Sequence, residues 1–158
     1  MKCLKFCDIL KLRKIKKVRE NNMQYLIFDV ADNKYALNID VISEIIKNNV
    51  NITPMPLTKP TQLGIIPLRK EVINIYSAGR LLNRKNTENS NIVIIEKDGR
   101  KLGITIDSVY AIKDDALLTE SDIEMQKIED ETYIKKAFKD KDSNEIYLEL
   151  NEEELIKA

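Results

Sequence analysis

The sequence predicts a mainly β fold of barrel type, with short helices only. Short runs rich in isoleucine and valine recur along the chain, bounded by turn signals. About nine or ten such runs can be marked out, and no long helical pattern alternates with them to suggest a parallel sheet with crossovers. The stretch Leu63 to Leu82, LGIIPLRKEVINIYSAGRLL, shows the pattern best. Ile65-Ile66 and Val72-Ile73-Asn74-Ile75 read as two strands around the polar centre Pro67-Leu68-Arg69-Lys70-Glu71. Gly64 marks a bend or bulge, Gly79 closes the second run, and Arg80-Leu81-Leu82 starts a turn or short helix.

The elements follow in order. Residues 1–22 form a separate basic block, with Phe6, Ile9, Leu12, Ile15 and Val18 every three residues, as in a modestly amphipathic helix. A membrane-surface contact, a nucleic-acid contact, a partner-docking helix and a plain solubilising extension all fit it. From Met23 the domain begins. Gln24 to Val30 alternates as a strand, Ala31 to Lys34 turns, and Tyr35-Ala36-Leu37 returns. Ile39, Ile42, Ile45 and Ile46 have helical spacing across Asn38 to Lys47, with Asp40 as N-cap. Pro54, Pro56 and Pro60 impose an extended loop, and Lys85 to Asn91 is a polar connector. Asn91 to Glu96 and Lys101 to Asp107 form a hairpin about Asp98-Gly99, and Val109, Tyr110 and Ile112 continue the sheet. Asp114 to Glu131 is acidic and aperiodic, and reads as a loop with a helical turn. Tyr133 to Phe138 and Glu145 to Leu150 make a final strand pair, and Asn151 caps a last helix, Glu152 to Lys157.

Composition narrows the function. The chain has 158 residues, 43% hydrophobic and 33% charged, with no apolar run long enough to span a bilayer and no secretory signal, so a cytoplasmic protein is expected. Net charge is zero but uneven. Residues 1–20 hold eight basic and two acidic residues, a net +6, which leaves 18 basic and 24 acidic, a net −6, for the rest. An acidic body without basic–aromatic interleaving argues against nucleic acid. With no histidine, only Cys3 and Cys7 as thiols, and no glycine-rich phosphate loop, neither a metal site, a cofactor nor enzymatic acid–base chemistry is expected.

Five segments in order resemble the CheW-like chemotaxis adaptor family. They are Tyr25 to Phe28; KYALNIDVISEI, with Tyr35, Ile39, Ile42, Glu44 and Ile45 in register; the central stretch with Gly64, Leu68, Arg69, Ile73 and Ile75; NIVIIEKDGRKLGITIDSV, with Gly103, Ile104, Asp107 and Val109; and the C-terminal YIKKAFKDKDSNEIYLELNEEELI. The chain departs from the pattern at Pro67, Lys70, Ser77 and Lys136, where Lys70 and Lys136 replace glycines. Pro67, lacking a backbone donor, is expected at an edge or bulge, and the two lysines at strained positions.

The resemblance implies two small SH3-like five-stranded β-barrel lobes packed side by side and interleaved within residues 23–158. It implies a non-enzymatic scaffold that couples the tips of methyl-accepting chemoreceptors to the regulatory domain of a CheA-type histidine kinase, reaching membrane only through receptors. The alternatives are a degenerate interaction module with another signalling partner and, less favoured by the acidic body, a nucleic-acid binder using the basic arm. Carried over by position, the partner-binding candidates are Arg69, Ile42, Glu44 and Gly64. Each also has a structural reading: a brace between loops, a core isoleucine, a solvated charge and a conformational glycine.

Overall fold

A computed structural model describes residues 23–47, 51–56, 59–84, 91–121 and 133–158. The basic block 1–22 with its two cysteines, most of the connector 85–91 and the acidic residues 122–131 lie outside the described residues.

Eleven strands fall in two curled sheets, the mainly β architecture expected from the sequence. β1 (Gln24–Val30), β2 (Asn33–Asn38), β8 (Ser108–Asp114), β9 (Leu118–Ser121), β10 (Ile134–Asp140) and β11 (Ile146–Leu150) form one sheet, in the order β8-β1-β2-β11-β10-β9. β3 (Ile42–Lys47), β4 (Gln62–Leu68), β5 (Glu71–Ser77), β6 (Asn91–Lys97) and β7 (Arg100–Ile106) form the other, in the order β3-β6-β7-β5-β4. Neighbours pair antiparallel except β2–β11 and β5–β7. The second lobe is thus a continuous insert between β2 and β8, and the first is split around it. One-turn helices α1 (Ala78–Leu81) and α2 (Glu152–Leu155) follow β5 and β11, capped by the side chains of Ser77 and Asn151.

Alternation builds three cores. On β1, Tyr25 and Ile27 face the split lobe's interior with Ala36, Leu118, Phe138 and Tyr147. Leu26, Phe28 and Val30 face the other way, into a large core shared by the lobes. On β6, Ile92 and Ile94 join Ile66, Ile73 and Ile75 inside the inserted lobe, while Val93 and Ile95 enter the shared core. A strand with an apolar environment on both faces needs a continuous apolar run, which is what Ile92 to Ile95 provides. At the crossover between lobes, Asp107 N–H donates to the Asp29 carbonyl at 2.9 Å, and its Oδ2 accepts from Ala31 N–H at 2.9 Å. Arg84 Nε donates to Tyr35 Oη at 3.2 Å, a second polar tie between lobes.

Several expectations need correction. Asn38 to Lys47 is not a helix: Ile39–Val41 makes one 3-10 turn, capped by Asn38 rather than Asp40, and β3 follows. Within residues 114–121 the expected helical turn is present as a 3-10 turn at Asp115–Leu117, but the rest is not loop: β8 runs to Asp114 and β9 adds a strand on β10, so the split lobe has six strands rather than five. Gly79 lies inside α1, β5 having ended at Ser77, and α2 stops at Leu155. Pro67 is exposed on β4, an edge strand, as its missing donor requires.

Three hairpins turn on two residues with positive φ: Ala31-Asp32, Arg69-Lys70 and Asp98-Gly99. This is the turn whose twist matches paired strands. Lys70, at φ 69°, is where a glycine was anticipated, whereas Lys136 has no positive φ and lies in β10 beside a register shift. Lys70→Gly is therefore expected to stabilise the fold by about 0.5–1 kcal/mol, read as a higher urea midpoint with an unchanged slope.

Candidate partner-binding site

All four candidate residues lie on the inserted lobe, around the seam where its edge strands β3 and β4 approach one another. The chain after β3 closes this seam. Thr53 exchanges two backbone hydrogen bonds with Ile65 of β4, each 2.9 Å, and Ile52 packs against the lobe interior. Gly64 permits that closure. Its φ is +155°, and a Cβ there would stand 2.2 Å from the Thr53 carbonyl oxygen and 2.9 Å from the Ile52 side chain. Its role as a close-approach glycine follows from this geometry.

Arg69 and Glu44 span the same seam further along. Arg69 sits at the β4–β5 tip with φ 45°, its side chain 69% exposed. Its Nη2 lies 3.5 Å from Glu44 Oε2 on β3, whose side chain is only 11% exposed. The carboxylate thus draws one end of the guanidinium inward, while most of the side chain faces solvent. At this distance and exposure the pair orients Arg69 more than it stabilises the fold. Register along β3 shifts between Ile42 and Glu44, which lets Ile42 point into the shared core while Glu44 reaches the seam. Ile42 is fully buried. The structure therefore brings Arg69 and Glu44 together, places Gly64 on the adjoining strand, and sets Ile42 behind them in the core.

Neighbouring residues absent from the candidate set complete this end of the lobe. Val72 is 67% exposed and stands opposite exposed Pro67 across the hairpin, an apolar pair beside a basic tip. Lys101 Nζ donates to Glu71 Oε2 at 2.9 Å, tying the β4–β5 tip to the β6–β7 tip, and this bond raises the lysine pKa. A shallow cleft lined by Glu71, Val72, Ile73, Gly99 and Lys101 lies between the tips. Val72 had a legible signal, since it occupies an outward position of an alternating strand directly after the turn.

The split lobe carries the strongest charge perturbations. Asp140 is fully buried, and its Oδ1 accepts from Asp142 N–H at 2.9 Å. Its Oδ2 accepts from Tyr147 Oη at 2.8 Å and lies 3.3 Å from Lys113 Nζ. Burial works to raise its pKa, but these donors together outweigh it and hold the group at about 2. Burial and the Asp140 carboxylate push the Tyr147 hydroxyl well above its usual range. Among the described residues no cluster of three or more Asp, Glu or Cys is arranged to hold a metal ion, and no helix is long and apolar enough to cross a membrane.

Comparison with known proteins agrees with this architecture. The family model described as a CheW-like domain matches residues 24–158. No curated protein matches the chain significantly. Among solved structures, that of the scaffolding protein TtCheW from Thermoanaerobacter tengcongensis superposes with a TM-score of 0.70 at 24% identity, covering 82% of this chain and 88% of that one. A family match across the whole described domain, on two curled β lobes with the second inserted in the first, identifies the chain as a member of the CheW-like domain family.

Proposed function

We propose that this chain is a non-enzymatic scaffold adaptor that couples chemoreceptors to a CheA-type histidine kinase. Family membership over residues 24–158 carries this reading, and the scaffolding role named for TtCheW supports it. The receptor's helical tip meets the seam of the inserted lobe, and the kinase's regulatory domain docks elsewhere on the two lobes. Arg69 presents its guanidinium to the receptor, and Glu44 holds it in place. Gly64 shapes the seam beside them, and Ile42 supports Glu44 from the core instead of touching the partner. The adaptor acts in the cytoplasm and reaches the membrane only through its receptors.

Recovery of partners from the protein's own lysate, wild type beside Arg69→Glu, tests this. Wild type is expected to retain a CheA-type kinase and a chemoreceptor. The reversal places two carboxylates at the seam, so receptor retention is expected to fall about tenfold or more with the kinase kept. An unchanged circular dichroism melt establishes that the variant is folded. Recovery of neither partner by wild type overturns the reading, and retention of the receptor by Arg69→Glu removes Arg69 from the contact.

A further inference from the structure

We propose that β9 is a strap whose closure over the interior of the split lobe is governed by proton binding at Glu149, with Lys136 as the link. β9 has four residues and lies at the edge of its sheet, paired only to β10 among the described strands. It contributes Leu118 to the lobe's interior core, so lifting it opens that core to water. The clip across it is a lysine. Lys136 Nζ, on β10, donates to Glu120 Oε1 on β9 at 3.0 Å and lies 5.0 Å over the Phe138 ring. The same ammonium stands 3.9 Å from Oε2 of Glu149, its cross-strand neighbour on β11.

Glu149 is the unusual member. Its side chain is 3% exposed, and Oε2 accepts no hydrogen bond. With the carboxylate ionised, this oxygen has neither water nor a hydrogen-bond donor, and relies on the ammonium of Lys136. Its charged surroundings are Lys136 and Lys135 on β10, Glu120 on β9 and Glu152 on α2; Tyr25 of β1 senses Glu149, and Asp115 acts on Tyr25 and Lys136. Burial raises the Glu149 pKa most. The two lysines oppose that rise, while Glu152 and Glu120 add to it.

The direction of coupling follows. Closed β9 and its clipped lysine cap Glu149, and opening admits water to the carboxylate. Ionisation therefore favours the open strap, and the proton favours the closed one. Because the closed-state pKa is raised, closure is firmest below the ordinary glutamate pKa and weakens as pH rises through the closed-state value. Protonation also releases Lys136 to serve Glu120 alone, which acts in the same sense.

Hydrogen exchange at the β9 amides of the full chain, corrected for intrinsic rates, reads this between about pH 4.5 and 8. Wild type is expected to lose protection at β9 several-fold as pH rises, Glu149→Gln to show no such loss, and Lys136→Met to be less protected throughout. A pH-independent β9 in wild type, or the same dependence in Glu149→Gln, overturns the proposal. Carboxyl-carbon NMR of wild type stands independently of the variants: titration of Glu149 at the ordinary glutamate pH overturns it, and titration above that pH supports it.

Discussion

Gly64→Ala is expected to lower the thermal midpoint by roughly 10 °C, corresponding to about 3 kcal/mol for a chain of this size. Two independent costs contribute. The added Cβ meets a backbone oxygen, Thr53 O, at 2.2 Å, and no rotamer change relieves contact with main chain. The residue also occupies φ +155°, a region that side chains avoid at a cost of about 1–3 kcal/mol. Relaxation has one direction available, which is to push residues 51–53 away from β4 and break both Thr53–Ile65 hydrogen bonds. The seam then opens beside Arg69, so receptor binding is expected to weaken together with stability. A circular dichroism melt with matched binding data checks both. An unchanged midpoint excludes Gly64 as the residue that permits closure.

Asp140→Ala carries the other large effect, about 3–5 kcal/mol in chemical denaturation. It removes the acceptor shared by Tyr147 Oη, Asp142 N–H and Lys113 Nζ, and leaves these donors facing the space the carboxylate filled. The pH dependence gives a second, separable signature. Asp140 has a depressed pKa of about 2 in the folded protein. The unfolded chain therefore binds a proton first as pH falls, and the stabilisation is complete above the ordinary aspartate pKa. It is lost progressively as pH drops through roughly 4 toward 2. Wild type is expected to lose stability steeply over that interval, and Asp140→Asn to lose it with a visibly shallower slope. Parallel acid profiles in the two proteins exclude Asp140 as the group responsible.

The parts of the fold legible in the sequence are those where local chemistry and tertiary environment agree. Asp98-Gly99 sits between two apolar runs, and the structure makes it a two-residue turn between β6 and β7. Asn151 precedes three glutamates and caps α2. Ile39, Ile42 and Ile45 misled for a specific reason. A 3-10 turn followed by a register shift reproduces a spacing of three in a segment that is mostly strand, and all three side chains reach the shared core. β9 gave no signal, because a single apolar residue, Leu118, reaches the core from it and the strand exists by pairing with β10. Arg69 and Glu44 each stood out by resemblance, but their contact across 25 residues of chain depends on how the sheet curls. Lys136, in place of a glycine, was expected at a strained position within the strand Tyr133 to Phe138, and its backbone has no positive φ. It lies in β10, as the strand assignment required, and its ammonium clips β9.

The interleaved chain path has a kinetic consequence. Neighbouring strands of the split lobe, β1 and β8, come from either side of the insert, so forming their ladder requires closing a loop that contains the whole other lobe. Loop closure costs entropy before the ladder repays it, and long-range pairings of this kind are slow. Once β3 to β7 are in place, Asp107 at the end of β7 can receive the β1–β2 hairpin, through the Asp29 carbonyl and the Ala31 N–H, at the point where β8 begins. The inserted lobe thereby acts as a template for the split one, and an early fault at the Gly64 seam delays the assembly of strands far from it in sequence.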